Sequence, residues 1–199
     1  DYLNTNSYQP ITGGDVVISS ETTDFTWQDP YGNGSLSWDS ATEVLTVDGI
    51  VKVNGRILFG DPGAPGGDAL TAVRYDGTGV LWATDDIEIS KDIYPVGEYM
   101  QDGPDLDTLV DGNLGLISSD EIIIDSGSGG PGSRGRGGGR GRGSGRGGGG
   151  GSGSGDSNLQ ILATLFAENR VEANTRANVA GSIVTNAINV SYSARLNVW

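Results

Sequence analysis

Five stretches of this chain repeat one pattern, and the pattern leaves few folds open. Residues 81–90 read LWATDDIEIS, 116–125 read LISSDEIIID, 165–174 read LFAENRVEAN and 182–191 read SIVTNAINVS. Each has a short apolar run, then Asp or Asn at the fifth place (Asp85, Asp120, Asn169, Asn186), then apolar residues at the seventh and ninth. A looser copy, LTVDGIVKVN, fills 45–54 with its Asp one place earlier. The alternation after the Asp or Asn marks a strand, because successive side chains point to opposite faces. Asp and Asn tolerate left-handed backbone angles and bond their own backbone, which suits a corner between two short strands. Strand, corner, strand, repeated, is the wall of a solenoid.

Spacing points the same way. The copies at 165–174 and 182–191 follow each other closely, and the interval between 116–125 and 165–174 shrinks to a similar size once a Gly/Arg-rich window at 126–155 is set aside. The copies beginning at 45, 81 and 116 stand roughly twice as far apart, which reads as two rungs each, with intervening coils near 60–75 and 95–110. The expected fold is all-β, a right-handed parallel β-solenoid (β-helix) with a disordered Gly/Arg-rich insertion. The alternative is a jelly roll or β-sandwich, since Asp48-Gly49, Asn54-Gly55, Asp76-Gly77 and Asp111-Gly112 suit hairpins as well as corners. The one place left for helix is a brief turn near Asn158–Ala163.

Composition sets the insertion apart from the body. From Ser126 to Gly155 the chain holds only Gly, Ser, Arg and one Pro, and more than half of it is Gly. Residues 1–125 and 156–199 are therefore read as the two parts of one solenoid domain, and 126–155 as a flexible insertion. The window carries five Arg and no acid; the remaining 7 basic and 26 acidic residues give the body a charge of −19. Such a body repels phosphate backbones and suits an exported protein, so an extracellular or cell-surface location is expected. Cys and His are both absent. That excludes thiol nucleophiles, Ser-His-Asp triads and the usual zinc and haem ligands. No apolar run approaches the length of a membrane-spanning helix, so no transmembrane segment is expected. With no initiating Met and no signal peptide, the sequence reads as starting within a longer precursor.

The segments LSWDSATEVLTVDGIVKVNGRILFG, VRYDGTGVLWATDDIEIS, NLGLISSDEIIID and LFAENRVEANTRANVAGSIVTN resemble the C-terminal regions of PilX-like pilus-assembly proteins and related secreted bacterial proteins. The resemblance covers about residues 35–190 outside the Gly/Arg window. It implies an exported, β-rich domain with no known catalytic site and with pilus or cell-surface components as partners. It gives no chemistry to Lys52, Arg74 or Glu168.

Six candidate sites follow from the residues. Arg134, Arg136, Arg140, Arg142 and Arg146, spaced by Gly, can reach an anionic partner or strap acidic subunits together, but no aromatic residue accompanies them for base stacking. Asp102, Asp105, Asp107 and Asp111 have the oxygen density for Ca²⁺, though not EF-hand spacing, and no other cofactor is expected. The pairs Asp85–Asp86 and Asp120–Glu121 suggest acid/base work on a glycan; alternation along a strand would point each pair to opposite faces, so no residue is assigned to catalysis. Trp27, Trp38, Trp82, Tyr31 and Tyr75 are either a polysaccharide-stacking platform or packing, with Trp82 expected in the packing. Asn33-Gly34-Ser35 and Asn189-Val190-Ser191 match glycosylation acceptors. At the C-terminus, Ile188, Val190, Tyr192, Ala194, Leu196 and Val198 share one parity with no polar cap after them. Either the cap lies beyond this chain, which is the simpler account, or the open edge pairs with another subunit as a homo-oligomer or filament. The expected function is a non-catalytic structural or adhesive surface module; the alternatives are a nucleic-acid or polysaccharide binder and, third, a glycan-cleaving β-helix.

Overall fold

The computed structural model describes residues 11–61, 68–97, 113–126 and 158–199. Among them there is no helix; sixteen strands form one mostly parallel sheet. They are β1 (Val16–Ile18), β2 (Phe25–Gln28), β3 (Gly34–Asp39), β4 (Val44–Val53), β5 (Ile57–Phe59), β6 (Ala72–Asp76), β7 (Gly79–Ala83), β8 (Ile87–Ile89), β9 (Asp92–Pro95), β10 (Leu114–Ser118), β11 (Glu121–Ile124), β12 (Leu159–Leu162), β13 (Thr164–Ala173), β14 (Arg176–Ala180), β15 (Ile183–Val190) and β16 (Arg195–Val198).

The pairings sort these strands into three parallel ladders. Ladder I runs from the first half of β4 through β6, β9, β12 and β14 to β16. Ladder II runs from the second half of β4 through β7, β10 and the first halves of β13 and β15. Ladder III runs from β1 through β5, β8 and β11 to the second halves of β13 and β15. After β3 the chain visits I, II and III in that order every turn, so it winds as a coil with three sides. The long strands β4, β13 and β15 bend across the corner from one ladder to the next. Only β2–β3 and β3–β4 are antiparallel among the described pairs, which is not the pairing of a jelly roll.

Alternation puts one side chain in two inside the coil. Val51, Leu81, Leu116 and Leu165 stack in register on ladder II, and Ile57, Ile87, Ile122 and Val171 on ladder III, each at most 1% exposed. Burying one such side chain is worth about 1.5–3 kcal/mol, so stacking equivalent residues turn on turn supplies the core. The Asp-Gly and Asn-Gly pairs at 48–49, 54–55 and 76–77 sit where one ladder passes to the next, and none closes a hairpin. Gly49 is required at its corner: its φ is +67°, and a Cβ there would collide with the Asn33 carbonyl oxygen.

Two expectations need correction. Leu81 pairs directly with Val51 and with Leu116, so the intervals before and after it are single turns and not two rungs. Residues 72–76 and 92–95 are the ladder I sides of those same turns. Sequence spacing misleads here because a corner can carry a loop of any length without changing the rise between turns. The last turn is tight, running from Leu165 to Ile183 on ladder II and from Val171 to Ile188 on ladder III, with a register shift between the two. The helical turn expected near Asn158–Ala163 is strand β12.

Candidate functional site

The last turn of the coil differs from every other in what it leaves uncovered. Among the described residues β15 pairs only with β13, and β16 only with β14, so each presents a free edge. The inward-facing positions are identified by their partners one turn earlier. Val171, Ala173 and Val179 are fully buried, yet their register mates Ile188, Val190 and Val198 are 51%, 46% and 48% exposed. Ile183 and Leu196 occupy equivalent positions and are half-buried against the core. The hydrophobic interior of the coil is thus open at its C-terminal end, and such a patch beside free strand edges marks an interaction surface.

The shared parity at 188–198 suggests one continuous strand, and the structure breaks it in two. β15 stops at Val190; residues 191–194 turn, with the Ala194 N–H donating to the Ser191 carbonyl at 2.9 Å; β16 resumes at Arg195. Tyr192 sits fully exposed in that turn and takes no part in the inner face.

The outer faces are largely self-satisfied. On ladder III, Arg56 bridges Asp15 at 2.6 Å and Glu88 at 2.8 Å, and Arg170 pairs with Glu121 at 2.8 Å and Glu172 at 3.3 Å. On ladder I, the Asn197 amide donates to Asn178 at 2.7 Å, which donates to Gln160 at 3.3 Å. Ladder II is more apolar. Trp82, expected in the packing, faces outward there, half-buried, with the Lys52 ammonium 4.1 Å from its ring centroid and its indole N–H on the Ser119 hydroxyl. Where ladders I and II meet, a groove of about 580 Å³ is lined by Val80, Ile117, Leu162, Phe166 and Trp199. Phe166 and Trp199 are its exposed aromatics, and both lie outside the aromatic set picked from sequence. Of that set, Trp38 and Tyr75 are buried, Trp27 packs against the core and Tyr31 stands alone in solvent, so no platform forms.

The corner between ladders II and III overturns one argument. Asp85, Asp86 and Asp120 bring carboxylate oxygens within 4.8 Å of one another. Strand alternation does not separate them, because all three lie in the corner and not in a strand. Burial, then the charge of Asp85, pushes the Asp86 carboxyl up, and Asp120 and Glu121 add to this against a hydrogen bond from the Glu121 N–H. The corner also carries the Asp/Asn pattern that defined the repeat. The buried Ser118 hydroxyl donates to the Asp85 carbonyl, and the Asn169 side chain donates to Asp120 at 3.1 Å. Of the other polar residues named from the sequence, Arg74 donates to the Thr42 carbonyl and Asn33 donates to Asp29 at 2.6 Å; elsewhere, Lys91 donates to the Asp68 carbonyl at 3.0 Å.

Arg134, Arg136, Arg140, Arg142 and Arg146, and the Ca²⁺ candidates Asp102, Asp105, Asp107 and Asp111, lie outside the described residues. Segment 98–112 joins β9 on ladder I to β10 on ladder II, and 127–157 joins β11 on ladder III to β12 on ladder I. In comparison with known proteins, no family model, no curated protein and no solved structure matches the chain.

Proposed function

We propose that this chain is a right-handed parallel β-solenoid serving as a non-catalytic structural or adhesive module at a bacterial cell surface, and that it assembles through its C-terminal end. The observation that carries the reading is the open last turn, where Ile188, Val190 and Val198 stand half-exposed at positions whose mates one turn earlier are completely buried. The handedness follows from the general preference of parallel crossovers, set by the right-handed twist of strands. The exported location rests on the acidic body, and the pilus association on the sequence resemblance. The polar clusters support a non-catalytic role, because their members bond mainly to one another along the ladders. Light scattering and negative-stain imaging test the reading. Self-association without added ligand is expected, and a protein that stays monomeric at every concentration contradicts it.

The second reading, a polysaccharide-binding module, is favoured by one observation, the groove with exposed Phe166 and Trp199. It predicts retention on a polysaccharide matrix that is lost in Phe166→Ala and Trp199→Ala. A protein of this kind needs no self-association to bind.

A further inference from the structure

We infer that the partner of the open last turn is the same turn of a second copy, related to it by a two-fold axis, so that assembly closes as a dimer. This inference rests on the reading of that turn as an assembly surface and specifies its occupant. The two ends of the coil are not complementary to each other. An uncovered layer of Ile183, Ile188, Val190, Leu196 and Val198 needs an apolar layer opposite it. Among the described residues the other end of the coil offers none: Ile18, Leu36 and Trp38 are at most 2% exposed, and Phe25 and Trp27 are packed against the same core. Asp15, Glu21 and Asp24 flank the short strands β1 and β2 there. That acidic end attracts Arg195, but a head-to-tail contact sets the open core against a closed polar surface. Among the described residues, a second copy's open turn is the matching surface.

Strand geometry favours the same occupant. A two-fold axis passing through the bend of β15 near Asn186 and through the middle of β16 sends ladder II of one copy onto ladder III of the other, and ladder I onto ladder I. Both free edges then meet their own copies antiparallel, the arrangement in which facing N–H and C=O groups bond at right angles to the strands. A contact of this kind is self-complementary, so it stops at two.

Charge and size agree. From Ala173 to Trp199 the chain has no Asp or Glu, only Arg176 and Arg195, although the protein as a whole carries −14. Two copies meeting here therefore avoid the carboxylate repulsion that other surfaces of the body would bring, and antiparallel β16 strands keep the two Arg195 side chains at opposite ends of the pair. The stretch from Gly181 to Trp199 corresponds to about 600 Å² per copy at the usual area per interface residue, or roughly 1,200 Å² in total. That is the lower bound for a specific, stable contact.

The test uses the full chain and its lack of cysteine. Light scattering across a concentration series is expected to give a dimer mass that does not grow further. A cysteine introduced by Asn197→Cys lies close to the axis, within disulfide reach of its own copy, and oxidation is expected to trap a covalent dimer. Val190→Asp, at a position already half-exposed, is expected to keep the β circular dichroism of the parent while raising the dimer Kd at least about tenfold. Open polymers in which the Asn197→Cys protein does not link to itself overturn the two-fold arrangement and leave end-wise assembly standing. A monomer at roughly 100 µM overturns both. A dimer that Val190→Asp leaves unchanged places the contact elsewhere and overturns the inference.

Discussion

The two ends of this coil solve the same problem in opposite ways. Among the described residues the N-terminal end carries short strands, three residues in β1 and four in β2, with Asp15, Glu21 and Asp24 beside them. Ladder I is closed by the antiparallel β2–β3 hairpin, whose Leu36 and Trp38 are buried in the core; the Trp38 indole N–H bonds the Thr22 carbonyl at 3.2 Å. The stretch after β1 is tied to the next turn by Asp68, which accepts from the Ser20 N–H and hydroxyl and from the N–H groups of Asp61 and Leu70. The C-terminal end has none of this: β15 is eight residues long, free along one edge, and its inner side chains face solvent. Short, charged edges resist pairing, and long apolar ones invite it. The contrast teaches that the described strand edges at the two ends differ in what they offer a partner.

The sharpest way to break that contrast is to remove the same side chain from two places in one ladder. Ile122 and Ile188 both point inward on ladder III, with Val171 between them in register. Ile122→Ala leaves a cavity in closed packing and is expected to cost about 2–5 kcal/mol by chemical denaturation. Ile188→Ala, tested below the concentration of association, is expected to cost about 1 kcal/mol or less, because its side chain is already half in water. Equal losses would mean that the last turn is as closed as the middle. Next in size is Asp68→Ala, which strips the acceptor from several N–H groups at once and is expected to cost about 2–3 kcal/mol. Burial alone would raise the Asp68 carboxyl, but the hydrogen bonds from Ser20, Leu70 and Asp61 outweigh it and hold the carboxyl low. Its contribution is therefore complete above the ordinary value near 3.8 and lost as pH falls through the lower native value, so parent and variant converge in strong acid. Smaller again, about 1 kcal/mol, is the expected loss from Asn178→Ala, which interrupts the amide row between Gln160 and Asn197. A loss confined to ladder I by hydrogen exchange would show that the row fastens β16 to the turns below.

The repeat was readable because each corner residue obeys a local rule. Asp85, Asp120 and Asn169 sit at one corner of successive turns, and the expected alignment of residues 81–89, 116–124 and 165–173 agrees with the pairing residue for residue where strands are paired. The number of turns was not readable, since the corners after β5, β9 and β11 carry connections of unequal length. The antiparallel hairpin at the N-terminal end escaped for a related reason. Residues 25–28 and 34–39 alternate like any half-buried strand, and period two says nothing about strand direction. The uncapped C-terminus was visible as parity in 188–198, but the turn at 191–194 contains no Gly or Pro to announce it. The acidic corner is not legible from strand alternation, because Asp85 and Asp86 belong to no strand. The groove was missed because Phe166 lies outside the aromatic-rich N-terminal half and meets Trp199 only through the winding of the coil.

The smallest effect is expected at Asp92, which lies in the middle of ladder I, away from both ends. Burial pushes its carboxyl up; the Gln160 N–H, bonded to Oδ1 at 2.8 Å, and Lys91 oppose the shift without cancelling it. A native pKa above the ordinary 3.8 means that the folded state holds this proton more tightly than the unfolded one. This term therefore favours folding below 3.8, weakens as pH rises through the native value and stays unfavourable above it. Asp92→Asn keeps an oxygen for the Gln160 N–H and removes the charge. It is expected to raise Tm at pH 7 by about a degree or two, with the advantage fading in acid. Paired melts of parent and variant at pH 7 and pH 3 decide the matter. A variant less stable than the parent at pH 7 would mean that the Gln160 N–H and Lys91 depend on the carboxylate charge, and the middle of ladder I would then be held by electrostatics in the way that Asp68 holds the closed end.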